Sequence, residues 1–181
     1  MNLQLHEPAP GMDRPIELLR ACHRRLAARL DTLERLSGHL AAHGADADAQ
    51  TAARRVLNYF DQAAPQHHAD EDQDLFPLLY TLASHPECHP DLLDTLDRLG
   101  AEHDELEADW ARLRAAIAQI ADGEACALDG AGDWVRRYRA HLETEECFVL
   151  PQAELLLTPD HLARIGRSMG ERRGIEGEVH A

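Results

Sequence analysis

Residues 59–79 read YFDQAAPQHHADEDQDLFPLL. The stretch is polar in bulk, yet Phe60, Ala64, His67, Glu71, Leu75 and Leu78 recur at steps of three and four. That spacing sets them on one face of an α-helix. A histidine and a glutamate therefore occupy the middle of a face that is otherwise apolar. Extended back to Val56 and on to Leu82, the same stripe predicts a helix over about 47–83. Pro65 and Pro77 fall inside it, and each should kink or interrupt it.

The pattern recurs on both sides. Upstream, Ile16, Leu19, His23, Leu26, Leu30, Leu33, Ser37 and Leu40 form a stripe on a helix that opens at Asp13, with Pro15 in its first turn, and stops at Gly44. Downstream of the proline-bounded loop 84–90, the stripe is Leu92, Leu96, Leu99, His103, Leu106, Trp110, Leu113, Ile117 and Ile120. A Gly-rich loop, 122–132, leads to a helix whose stripe reads Trp134, Tyr138, His141, Glu145, Phe148, Gln152 and Leu155. Thr158 should cap a short fifth helix that turns Leu162, Ile165 and Met169 inward. The expected fold is all-α: an antiparallel up-down-up-down four-helix bundle over 13–157, with an N-terminal arm (1–12) and a short C-terminal helix and tail (158–181).

Composition agrees with a folded, helical chain. The 181 residues suffice for one domain with a sizeable core, and β-branched residues are sparse. Eighteen basic residues against 33 acidic ones leave a net charge of −15, which argues against nucleic acid or an anionic membrane as partner. No apolar run is long enough to span a bilayer and no signal peptide is recognisable, so a cytoplasmic location is expected. The four cysteines, Cys22, Cys88, Cys126 and Cys147, form no CxxC pair and read as reduced thiols. Twelve histidines are an unusual share, and they point to metal chemistry.

Each of the four long helices carries a histidine in mid-stripe: His23, His67, His103 and His141. Glu71 and Glu145 follow two of them by four residues, and Glu107 follows His103 on the shoulder of its face. In an antiparallel bundle these positions meet in one layer. Carboxylates in a dry core cost several kcal/mol each unless a cation partners them. Two divalent ions offset three carboxylates and one hydroxide. Seven ligands exceed what one tetrahedral zinc takes, and an all-nitrogen-and-oxygen set suits iron, with manganese and zinc as second choices.

The segments 19–25 (LRACHRR), 59–79, 101–106 (AEHDEL) and 141–151 (HLETEECFVLP) resemble the hemerythrin-like, or HHE cation-binding, family of non-haem di-iron helical bundles. The resemblance implies His23, His67, His103 and His141 as terminal ligands of two oxo- or hydroxo-bridged irons, and Glu71 and Glu145 as the bridging carboxylates. Oxygen-carrying members have a second histidine where this chain has Glu107, and an aspartate five residues after the helix-four histidine, where this chain has glutamate at four. These departures move the expectation from a dedicated oxygen carrier toward bacterial relatives that meet O2, NO or peroxide in oxygen, nitrosative or iron stress. An enzyme that removes peroxide or NO or repairs iron centres, served by a redox partner protein, is one rival. A metal-stapled interaction or storage module, monomeric or a homodimer, is the other.

Other residues have plainer readings. His68, with Asp70, Asp72 and Asp74, reads as a solvated face, although a slip at Pro65 would make His68 and Asp72 the ligand pair. His85, Cys88 and His89 lack a fourth zinc ligand and read as an exposed loop. Cys22 and Cys147 read as packed thiols, and Phe60, Trp110, Trp134 and Phe148 as core.

Overall fold

The structure, a computed structural model, describes residues 10–175. It is all-helical, and no strand occurs among the described residues. α1 is Pro15–His43. α2 covers 47–81, α3 is Leu92–Ala121, α4 covers 131–156, and α5 is Pro159–Arg172. The expected arm and tail lie largely outside the described residues. α1 opens at Arg14 rather than Asp13, without a side-chain cap, and Pro15 stands first in the helix. Gly44 ends it at φ 67°, a left-handed turn that any side chain would strain. Thr158 does cap α5: its hydroxyl accepts from the His161 N–H, and the His161 ring accepts from the Thr158 N–H.

α1 lies against α2 and α4, and α3 also lies against α2 and α4, so the four long helices form a ring. α5 packs across α1 and α2. Met12 crosses α5 so closely that a Cβ on Gly166 would sit 1.9 Å from the Met12 carbonyl oxygen. Arg172 and Arg173 reach from the end of α5 to the fully buried carboxylate of Asp70 in α2.

Two apolar clusters fill the ring, one at each end. The first holds Leu26, Leu30, Leu33, Val56, Phe60, Leu106, Ile117 and Trp134; the second holds Leu19, Leu75, Leu79, Leu96, Leu99, Val149 and Ile165. Each buried leucine contributes about 1.5–3 kcal/mol. α1 and α3 run from the second cluster into the first, α2 and α4 from the first into the second. In all four helices the mid-stripe histidine stands at the crossing.

α2 and α4 are not regular. π-Turns interrupt them at Tyr59–Ala63, Glu71–Leu75 and Glu145–Val149. Each is closed by the residue before a proline: the N–H groups of Ala64, Phe76 and Leu150 reach back five residues to the carbonyls of Tyr59, Glu71 and Glu145. A proline cannot donate to the ladder and its ring crowds the carbonyl four residues back. A widened turn relieves that crowding, so the extra residue and the missing N–H coincide in one irregularity. The expected kinks thus take the form of π-turns. They also shift the phase of the helix beyond them. In α4 the predicted inward residue Leu155 turns outward, Phe148 and Gln152 are left half-buried with Phe148 still against the second cluster, and Val149, Ala153 and Leu156 take the core, because Glu145–Val149 holds one residue more than an α-turn. At the far end of α1 the stripe passes through Leu36, and Ser37 is exposed.

Candidate metal centre

Six of the seven residues singled out in the sequence meet between the two apolar clusters. His23 comes from α1, His67 and Glu71 from α2, His103 from α3, and His141 and Glu145 from α4; all six are buried. Their ligand atoms form two groups that share one residue: His23, His67, Glu71 and Glu145, and His103, His141 and Glu145, each within 4.8 Å. Glu71 offers one oxygen to His23 at 3.5 Å and the other to His67 at 3.5 Å and His103 at 3.6 Å. Glu145 faces His23 at 3.4 Å with one oxygen, and His103 at 3.7 Å and His141 at 3.0 Å with the other. Both glutamates open a π-turn, so each bend presents a carboxylate to the middle of the ring.

Glu107, the seventh, is not brought to this cluster. Its side chain is 55% exposed and meets His68 Nδ1 at 3.2 Å. The shoulder of the α3 stripe faces outward between α2 and α3, and a glutamate there reaches solvent more easily than the bundle centre. His68 departs from expectation in the opposite sense. It is buried, stacked on the His103 ring at 4.2 Å, and its Nε2 accepts from the Tyr138 hydroxyl at 2.7 Å. Both its nitrogens are engaged, and the rival His68–Asp72 pairing does not form. Asp70 is likewise buried, against Arg172 and Arg173, whereas Asp72 stays half-exposed. The acidic run is therefore not one solvated face, because α5 covers part of it. The 84–90 loop joins no metal-suited cluster among the described residues.

Three further carboxylates orient the imidazoles, and the stripe pattern passed over all of them. His23 Nδ1 donates to Glu146 at 2.7 Å, His103 Nδ1 to Asp72 at 2.9 Å, and His141 Nδ1 to Glu102 at 2.9 Å. Each holds a histidine on a neighbouring helix and is itself the sequence neighbour of a cluster residue: Glu146 of Glu145, Asp72 of Glu71, Glu102 of His103. That adjacency was a readable signal. Donation from Nδ1 turns Nε2 inward, the tautomer a metal requires.

The electrostatics follow from this packing. Burial pulls the His23 and His103 imidazoles down, but the carboxylates outweigh it and push both up to about 10: Glu146 and Glu71 for His23, Asp72 and Glu145 for His103. Burial, aided by His23, holds His67 well below the ordinary histidine range. Burial and the facing Glu145 push the Glu71 carboxyl up. Burial opposes the charge on Glu145, yet the surrounding histidines, His141 foremost, keep it ionised.

The donor set fits a metal. Buried side-chain atoms without a hydrogen-bond partner include His23 Nε2, both nitrogens of His67, both oxygens of Glu71 and Glu145, and Nε2 of His103 and His141. A stranded buried polar group costs about 1–3 kcal/mol. The facing imidazoles and carboxylates, 3.0–3.7 Å apart, offset part of that cost through their charges, but all nine atoms are left without a hydrogen bond. Cations lying among them would partner all but one nitrogen of His67, and no thiol intrudes.

An uncharacterised protein of Haemophilus influenzae is 28% identical over 178 residues, covering 96% of this chain and 99% of its own. The family model described as Hemerythrin HHE cation binding domain matches residues 14–153, which hold all six clustered residues. With the cluster at the heart of that span, the chain belongs to the hemerythrin HHE cation-binding family.

Proposed function

We propose that this chain is a di-iron protein whose centre takes O2, NO or peroxide as a small ligand, in the response to oxygen, nitrosative or iron stress. The observation that carries the reading is the pair of overlapping clusters joined through Glu145. His23 and His67 would hold one ion, His103 and His141 the other, with Glu71 and Glu145 reaching both. Zinc is accommodated less well, because four imidazoles and two carboxylates exceed one tetrahedral ion, and manganese less well, because a set richer in imidazole than in carboxylate suits iron better. When bound, the iron pair supplies the affinity for the small ligand and two electrons.

The chain's own residues do the rest. Glu146, Asp72 and Glu102 fix the imidazole tautomers and turn their lone pairs inward. Leu19, Leu26, Leu99 and Leu106, above and below the layer, exclude bulk water. The alternating passage of α1–α4 between the apolar clusters supports antiparallel, up-down-up-down topology. That topology places one histidine per helix at the same depth.

Iron content of the purified protein, with optical spectra taken reduced and then after O2 or NO, tests the proposal. Two irons per chain and ligand-dependent charge-transfer bands are expected. One zinc, or a spectrum unresponsive to either gas, would overturn it.

A further inference from the structure

Aromatic residues are scarce here: two tryptophans, three tyrosines and three phenylalanines in 181 residues. Both tryptophans, with Phe60 and Tyr138, gather in one column that starts at the metal layer. Tyr138 stands 6.0 Å from the His141 ring, Trp134 is 5.2 Å from Tyr138, and Trp110 is 5.7 Å from Trp134, centroid to centroid. Phe60 braces both indoles at 5.0 Å. Tyr138 and Trp134 are almost fully buried and Trp110 is partly buried, and all three line a cavity of about 260 Å³ that opens to the surface.

A purely structural aromatic core accounts for the packing but not for the polar ends. The Tyr138 hydroxyl donates to His68 Nε2, and the His68 ring lies on His103. At the outer end the Trp110 indole N–H donates to the Asp61 carboxylate at 3.1 Å. Phenol and indole are the side chains that give up and regain a single electron, and here each terminal one has a proton acceptor in hydrogen-bond contact.

We propose that Tyr138, Trp134 and Trp110 form an electron route between the metal centre and a one-electron donor of the flavin or iron–sulfur class that meets the protein at Trp110. The proposal rests on the di-iron reading. The electron tunnels from the external donor at Trp110 through the neighbouring π systems of Trp134 and Tyr138 to the oxidised centre, and none of the three rings is itself oxidised on the way. The donor loses one electron and the centre gains one; no proton is consumed, and two such passages reduce both irons.

Pulse radiolysis with the azide radical, which oxidises indole, tests the route on the full chain, metal-free and iron-loaded. Transient absorption should show the tryptophan radical converting to a tyrosyl radical at a rate independent of protein concentration. Tyr138→Phe should abolish that growth, and Trp134→Phe should leave the radical stranded on Trp110. Both changes keep a ring in the core, and circular dichroism checks the fold. In the iron-loaded protein, reduction by a photoreduced flavin, followed by bleaching of the iron absorbance, should slow in Trp134→Phe at unchanged iron content. Unaltered conversion, or unaltered iron reduction, in the Trp134→Phe protein would overturn the route. Intact radical conversion in a chain that binds no iron would refute the di-iron reading while leaving the aromatic path standing.

Discussion

Loading the centre with metal should expel protons, and the geometry of the site sets how many. In the metal-free chain His23 and His103 are held protonated up to about 10, whereas His67 is already neutral. A cation takes the Nε2 lone pair of each imidazole, so at about pH 7.5 His23 and His103 must each give up a proton. At least two protons are displaced, so the apparent loading constant should rise roughly 100-fold or more per pH unit, about 2.7 kcal/mol. Burial pulls His141 down, but Glu145 and Glu102 push it up, and it adds to the count. Glu71, pushed up by burial and by Glu145, adds to the count toward the acid side. A hydroxide formed from a bound water increases the count and never lowers it. The assay is anaerobic calorimetry of ferrous loading at one pH in buffers of different ionisation enthalpy. The slope of observed heat against that enthalpy is the proton number. Glu146→Gln should reduce it, because Glu146 supplies the leading upward push on His23. A proton number near zero, or an affinity that stays flat between about pH 6.5 and 8.5, would show that His23 and His103 are not held protonated by their carboxylates.

The same groups set the pH dependence of the metal-free fold. His23 and His103 have folded-state values near 10 against ~6.5 unfolded, so their stabilisation is complete below about pH 6.5 and is lost as pH rises through about 10. Thermal melts of the chelator-treated protein should fall over that range; His67, held neutral, acts in the opposite sense below about pH 6.5. Tyr138→Phe strands His68 Nε2 and should cost about 1–3 kcal/mol, read as a Tm lower by ~2–4 °C per kcal/mol with helix content unchanged. Gly166→Ala drives a methyl into the Met12 carbonyl and should cost about 1–3 kcal/mol, whereas Gly38→Ala, in open space on α1, should gain ~0.5–1 kcal/mol by denaturant titration. Replacing Arg172 and Arg173 together by alanine leaves Asp70 buried without a cation; a loss of about 3–5 kcal/mol is expected, partly restored by adding Asp70→Asn.

Mid-helix chemistry was the most legible part of the chain. His23, His67, Glu71, His103, His141 and Glu145 lie in stripes whose period is that of the helix, and stripe position translates directly into depth in a bundle. The boundaries of the α1, α3 and α5 helices were legible for the same reason, with Gly44 and Thr158 as punctuation. What failed was phase beyond an irregularity. Leu155 looks inward on a regular helix and lies outward because Glu145–Val149 is a π-turn. Local pattern also says nothing about what a distant segment covers. Asp70 and His68 look solvated until α5 lays two arginines on one and α4 lays Tyr138 on the other. Glu107 erred the other way: it follows His103 by the same four residues that separate His67 from Glu71 and His141 from Glu145, but α3 is a regular helix with no π-turn to present the carboxylate to the middle of the ring.

The recurring interval of six residues from Tyr59 to Pro65, Glu71 to Pro77 and Glu145 to Pro151 has a mechanical meaning. A π-turn is a dislocation, a surplus residue that can glide along a helix by trading partners, one residue at a time. Every glide step would roll a different side chain toward the axis. Proline acts as a pinning point, because the dislocation cannot advance through a residue with no N–H to trade. The two carboxylates of the centre are thus anchored in axial position by residues that never touch it. A helix without those prolines would let its glutamate wander out of the layer, as a crystal without impurities lets its dislocations run.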